Sequence, residues 1–149
     1  MQGSPIEETS NLSTDAGNIT QYDHVLQLKD PRTQRSVAYF SVAYADYPPG
    51  STRNLDPNEF LEKCWQGSFA KIATNLISKE KITLDGYPGL SFRYTGEAKS
   101  GIVTGRHFLV NDRLYILVTI MTQARLDRGG SDKFLNSFHI LPAERETPR

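Results

Sequence analysis

Asp85–Thr122 reads DGYPGLSFRYTGEAKSGIVTGRHFLVNDRLYILVTIMT, and this stretch decides the fold class. Leu90, Phe92 and Tyr94 alternate with Ser91, Arg93 and Thr95, the pattern of a strand with one buried and one wet face. Ile102 to Val110 follows after a turn at Lys99-Ser100-Gly101. Asn111-Asp112 then suits a two-residue hairpin turn, since both residue types tolerate positive φ. Leu114 to Met121 (LYILVTIM) is apolar at nearly every position, which places it mid-sheet with both faces covered. Three consecutive antiparallel strands are therefore expected here.

Upstream of this stretch, Asp85-Gly86 makes a turn that Ile77 to Leu84 enters as a strand. Before it a helix is signalled: Asp56 suits the N-cap, Pro57 the first helical position, and Glu59 stands three residues after the cap. Leu61, Trp65, Phe69, Ile72 and Leu76 then recur at steps of four and three, so the helix is predicted over 56–76 with one apolar stripe. Gly67 within it predicts a close approach to the sheet, or a break. Tyr22 to Lys29 and Ser36 to Tyr47 alternate as two strands joined through Asp30-Pro31-Arg32-Thr33, and Pro48-Pro49-Gly50 ends the second. Residues 1–20 are polar and rich in Ser, Thr, Asn and Gly, and read as a loop or an irregular edge. Asn11 and Asn18 each begin an Asn-x-Ser/Thr sequence, which matters only in a glycosylating host.

Downstream, Arg125 to Gly130 reads as a polar loop. Ser131 or Asp132 caps a short helix carrying Phe134, Leu135 and Phe138, and Ile140-Leu141 can add paired residues. Pro142 to Arg149 is a charged tail. The order β-β-α-β-β-β-β-α predicts one α+β domain over 1–141 with an antiparallel sheet, and a tail over 142–149.

The 149 residues suit a single core, and 38% hydrophobic with 23% charged residues is a folding composition. Lys plus Arg and Asp plus Glu number 17 each, so the basic excess of a nucleic-acid binder is missing. No apolar run reaches the ~18 residues that span a bilayer. The lone Cys64 cannot form an internal disulfide and reads as a small core hydrophobe.

The motifs carry no recognisable chemistry. His24, His107 and His139 lie on different elements, without metal-ligand spacing. They read as two exposed or hydrogen-bonded strand residues and one at a helix end. Gly96 to Gly101 imitates phosphate-loop spacing but is followed by Ile102 and Val103, not Lys and Ser/Thr. Asp85 and Asp112 both fall in turns, where Asp bonds the backbone. No serine has a nucleophile signature. No catalytic residue, metal or cofactor is expected. Arg93, Arg106 and Arg113 lie on or beside adjacent strands. On one face they would form a cationic strip able to pair a carboxylate or phosphate, and they are the candidate interaction surface. The plainer reading is three solvated arginines bridged to Glu97 and Asp112.

Taken together, VAYADYP (Val42–Pro48), DPNEFL (Asp56–Leu61), LDGYPGLSFRY (Leu84–Tyr94), GRHFLVNDRLYILV (Gly105–Val118) and FLNSFHIL (Phe134–Leu141) resemble the PsbP-like superfamily. That superfamily is named for the extrinsic photosystem II subunit and shares its fold with a small Ran-binding nuclear protein. The nearest likeness is to small bacterial members, many of them exported or lipid-anchored. The resemblance implies an α/β/α sandwich, a central antiparallel sheet flanked by helices. It implies a non-enzymatic interaction or assembly module with a protein partner, docking onto a larger, membrane-associated or photosynthetic complex. It implies an exported location, in the periplasm or thylakoid lumen, the alternative being cytoplasmic. Similar chains begin with a strand running into a Pro-Gly-x-Pro turn. Met1 to Pro5 resembles that turn, so a first strand and an export signal are expected upstream. The alternative function is a small-molecule carrier with a pocket between helix 56–76 and the sheet.

Overall fold

Seven strands and three short helices account for residues 6–14, 17–69, 75–95 and 101–141, which the computed structural model describes. The strands are β1 (Ile6–Thr14), β2 (Gly17–Lys29), β3 (Ser36–Asp46), β4 (Asn75–Leu84), β5 (Tyr87–Thr95), β6 (Ile102–Val110) and β7 (Arg113–Met121). They form one antiparallel sheet in the order β1-β2-β3-β7-β6-β5-β4. The LYILVTIM segment lies in β7, between β3 and β6, and Leu114 to Thr119 are all buried.

The α/β/α sandwich is not what forms. Helix α1 (Pro57–Ser68) has 12 residues, α2 (Gln123–Asp127) has 5 and α3 (Gly130–Asn136) has 7. At 1.5 Å per residue, α1 is only about 18 Å long. Seven strands at about 4.8 Å spacing span about 29 Å from edge to edge. Three helices of this size cover patches of the sheet and build no layer, so the fold is β-rich. The expected helix 56–76 overran because its period was carried across a boundary. The backbone N–H of Phe69 closes the last turn onto Trp65 O at 2.8 Å, and Leu76 belongs to the edge strand β4. Ile72 falls outside the described residues, as do Met1 to Pro5, Gly96 to Ser100 and the tail from Pro142.

The start of α1 follows the sequence. The Asp56 carboxylate accepts from Asn58 N at 2.9 Å and Pro57 takes the first helical position. Of the two expectations for residues 1–20 the edge is what forms, as a regular strand: β1 pairs with β2 from Ile6↔Val25 to Thr14↔Gly17. An edge strand wet on both faces carries no alternation, so its Thr, Ser and Asn read as loop. Near the C-terminal end, α2 forms where polar loop was expected, capped by Thr122, whose hydroxyl accepts from Arg125 N at 3.4 Å. Gly129, with φ of 78°, caps α3 in place of Ser131 or Asp132. Ile140 is buried but lies outside any strand.

Two cores result, one on each face. Under α1, Leu61 and Trp65 meet Ala43, Ala45, Leu90, Phe92, Tyr94, Val103, Ile116 and Val118. Under α3, Leu135 and Ile140 meet Phe108, Val110, Tyr115 and Leu117. A buried hydroxyl pair fixes α3 to the central strand, with Thr119 Oγ1 and Ser131 Oγ 2.9 Å apart.

Two glycines let aromatic rings cross neighbouring strands. Phe92 lies over its cross-strand partner Gly105 on the α1 face, where an added Cβ would stand 2.3 Å from the ring. Phe108 lies over Gly89 on the other face, with a corresponding 2.5 Å. Gly67 has open space around it, so of the two expectations the close approach does not occur, and α1 ends one residue later, at Ser68.

Gly105→Ala should therefore destabilise by about 1–3 kcal/mol through overpacking. Gly67→Ala should stabilise by about 0.5–1 kcal/mol through helix propensity. Urea unfolding of the two variants checks the opposite signs, and equal effects would contradict this packing.

Candidate functional site

The pairing registers define the two faces of the sheet, because cross-strand partners share a face. On the α3 side one row runs Tyr115–Tyr44–Tyr22–Thr9, and beside it Arg113 pairs with Asp46 and Thr20 with Asn11. Arg93 and Arg106 fall on this same face, diagonal to each other through the pairs Arg93↔Thr104 and Ser91↔Arg106.

All three predicted arginines thus share a face, but they are not one strip. Arg93 donates from Nε to Thr104 Oγ1 at 3.1 Å, and Arg106 donates from Nη1 to Asn136 Oδ1 of α3 at 3.0 Å. Arg113 stands apart, at the far end of β7. It grips Asp46 bidentately at 2.7 and 2.9 Å, and its guanidinium lies 4.4 Å from the Tyr44 ring centroid. The carboxylate hydrogen bond raises the Arg113 pKa further, so it stays charged. Arg113 takes Asp46, Asp112 is engaged with the 47–52 loop, and Glu97 lies outside the described residues.

Tyr22 stacks on Tyr44 across strands, with centroids 5.1 Å apart and planes 26° from parallel. Tyr22 remains 39% exposed. The result is a ladder of Tyr22, Tyr44 and the Arg113 guanidinium, fixed at one end by Asp46. The sequence marks these two strands as rich in tyrosine and names Arg113, but only the register places Tyr22 and Tyr44 side by side.

The two faces of β2 and β3 differ in character. On the α3 side they present Tyr22, Leu26, Leu28, Phe40, Val42 and Tyr44, all half-buried except the exposed Tyr22. On the α1 side β2 alternates buried Ile19 and Val25 with the polar Gln21, Asp23 and Gln27, and Gln21 Nε2 donates to Asp23 at 3.0 Å.

His107 is the chief surprise among the titratable groups. It is fully buried beneath α1, its ring 5.2 Å from Phe92 and 5.6 Å from Phe69. Neither ring nitrogen has a hydrogen-bond partner among the described residues, and the same holds for Trp65 Nε1. Burial pushes the imidazole down to about 3. The ring packs as an aromatic hydrophobe and is sealed from any reactant. Its pattern gave a signal, since Val103, Gly105, His107 and Leu109 share the parity of the buried face. His24 is exposed, 3.7 Å from Glu7, and His139 is exposed just after α3.

Cys64 is raised to about 11 by burial, and its thiol bonds Tyr47, so it is held as an unreactive thiol. Among the described residues no His, Cys, Asp and Glu cluster could hold a metal ion. Between α1 and the sheet the space is filled by Trp65, Phe69, Phe92, Tyr94 and His107. At its margin an open cleft of about 190 Å³ lies between Asn58, Leu61 and Glu62 of α1 and Lys79, Lys81 and Leu90 of the sheet. Lys79 is already paired with Glu62 at 2.6 Å and sits over the Trp65 ring at 4.4 Å.

The buried imidazole gives a measurable pH dependence. Its folded-state pKa of about 3 lies below the ordinary 6.5, so only the unfolded chain takes up the proton as pH falls. Stability is full above pH 6.5 and declines toward pH 3, by about 2 kcal/mol at pH 5. The stability difference between wild type and His107→Leu should shift by about that amount between pH 8 and pH 5. A constant difference, measured by denaturant titration at both pH values, would show that the ring is not buried and neutral.

No protein-family model and no curated protein matches the chain. Among solved structures, a protein of unknown function from Pseudomonas aeruginosa, PA94, is similar with a TM-score of 0.58 at 10% identity. The match covers 95% of this chain and 99% of that one, and at this identity it shows a shared fold alone. No described helix is long and apolar enough to cross a membrane.

Proposed function

We propose that this chain is a non-catalytic docking module that binds a protein partner through the α3 face of its sheet. The observation that carries the reading is the Tyr22–Tyr44–Arg113 ladder, an aromatic and cationic surface held in place by Asp46. Tyr and Arg, with Trp, are enriched among the residues that dominate binding energy at protein interfaces; Tyr has few torsions to immobilise, and Arg113 is already held by Asp46. On the resemblance to PsbP-like proteins, we further propose an exported protein that docks onto a larger, membrane-associated assembly.

A carrier role is less well supported. The cleft beside α1 is about 190 Å³, below the ~300–1,000 Å³ usual for ligand pockets, and Lys79 and Glu62 on its wall already neutralise each other.

Affinity capture with the tagged full chain tests the docking reading. A stoichiometric partner should be recovered with wild type and lost by roughly tenfold or more with Tyr22→Ala, the size expected of an interface hot spot. The unfolding midpoint of that variant should stay near wild type, since Tyr22 is exposed. Partner recovery unchanged by Tyr22→Ala and Arg113→Ala would move the interface elsewhere. Recovery lost only with Arg93→Ala and Arg106→Ala would move it across α3.

A further inference from the structure

Among the described residues the sheet has two edges, β1 and β4, and they are defended differently. An edge strand offers unpaired backbone groups to any strand that can approach, and charged side chains are the usual defence. β4 carries Lys79-Glu80-Lys81 at its middle, and β1 carries no charge from Thr9 to Thr14.

Self-pairing separates the two edges further. Two copies joined antiparallel about a two-fold axis normal to the sheet keep every side chain on its own face. For β4, centring the axis on Lys79, Glu80 or Lys81 sets that charge directly against itself. Centring on Glu80 also sets Lys79 against Lys81. Like charges directly opposed are destabilising.

For β1 the register centred on Thr9 brings residues 7–11 of the two copies together with no like charge opposed. Glu7 falls opposite Asn11 and Glu8 opposite Ser10, each a carboxylate facing a donor. Thr9 falls opposite Thr9, a favourable cross-strand pair. Parity agrees with the register inside the protomer, since Glu7, Thr9 and Asn11 share the α3 face through their partners His24, Tyr22 and Thr20.

We propose that β1 is a self-association edge: two copies of this chain pair antiparallel through β1, centred on Thr9, into one continuous sheet. Because Thr9 pairs with Tyr22 and Tyr22 with Tyr44, the junction lies in line with the tyrosine row. The dimer presents two such rows end to end on one face. The pairing stands whether or not that face docks a partner.

Sedimentation of the full chain across about 5–500 µM should show a monomer–dimer equilibrium, as mass action requires. Thr9→Lys places two charges at the axis and should weaken the dimer by roughly tenfold or more, whereas Thr83→Lys on β4 should leave it unchanged. In a Cys64→Ala background, Thr9→Cys should cross-link under mild oxidation. Paired Cα atoms at about 4.5–5.5 Å suit a disulfide. Thr83→Cys should not cross-link faster than free thiols. A monomer at every concentration overturns the proposal. So does a dimer that ignores Thr9→Lys, or equal cross-linking of the two cysteine variants. The cross-linking readout holds even if Thr9→Lys disturbs folding.

Discussion

The Asp112 carboxylate holds the first half of this chain to the second. Its Oδ2 accepts from Gly50 N at 2.7 Å, and its Oδ1 accepts from Thr52 N at 3.1 Å and Thr52 Oγ1 at 2.6 Å. Its backbone carbonyl accepts from Tyr47 N at 2.8 Å. A buried carboxylate is tolerated when backbone and hydroxyl donors satisfy it, and Asp112 is only 3% exposed. These bonds seat the loop after β3 against the β6–β7 turn, where Asn111 with φ of 57° reverses the chain. The topology follows. From that anchor the chain must reach the opposite edge of the sheet to begin β4, and α1 crosses one face to take it there. The crossing explains why α1 lies over β5 and β6 rather than over its sequence neighbour β3.

Packing on the two faces is solved by one device used twice with opposite sense. Phe92 points to the α1 side and covers Gly105, while Phe108 points to the α3 side and covers Gly89. Each ring gains the space a Cβ would have taken, so two bulky side chains on adjacent strands fit without pushing the strands apart. The α1 side then collects Trp65, Phe69, Tyr94 and His107 around Phe92. On the α3 side Phe138 stacks on Phe108 at 5.9 Å and meets Tyr115 edge-on at 5.2 Å. His107 is admitted to the first cluster as a ring, at the cost of a neutral imidazole with unpaired nitrogens.

Much of this was legible in the residues, and the failures have physical causes. β5, β6 and β7 could be read because their alternation is driven by burial on a sheet. The N-cap Asp56-Pro57 could be read because capping is local. β1 could be read only as a loop or an irregular edge, since a strand at the edge buries little and its polar residues look like loop. The end of α1 could not, because Leu76 continues the helical period by coincidence while being 46% exposed in β4. Sequence spacing put three arginines on one face, but the position of α3 parts Arg93 and Arg106 from Arg113, and that is tertiary information. His107 had the parity of a buried residue, yet its residue type argued for the surface.

The shortfall of helix is what gives the sheet a surface to use. A helix layer over both faces would have hidden β2 and β3, and their α3-side residues would be ordinary core. With α3 only seven residues long, its Phe134 reaches Phe40 at 5.2 Å and covers no further. Beyond that contact the apolar character continues through Leu26, Val42, Tyr44 and Tyr22 onto open sheet. The opposite face of β2 alternates Gln21, Asp23 and Gln27 with Ile19 and Val25, which are buried. Uncovered sheet does not require aromatic residues, since Thr, Gln and Lys would keep the strands paired and soluble. Among the described residues Tyr22 is left 39% exposed on its stack with Tyr44, and an aromatic held there points to a demand from outside the folded chain, which stability alone does not make.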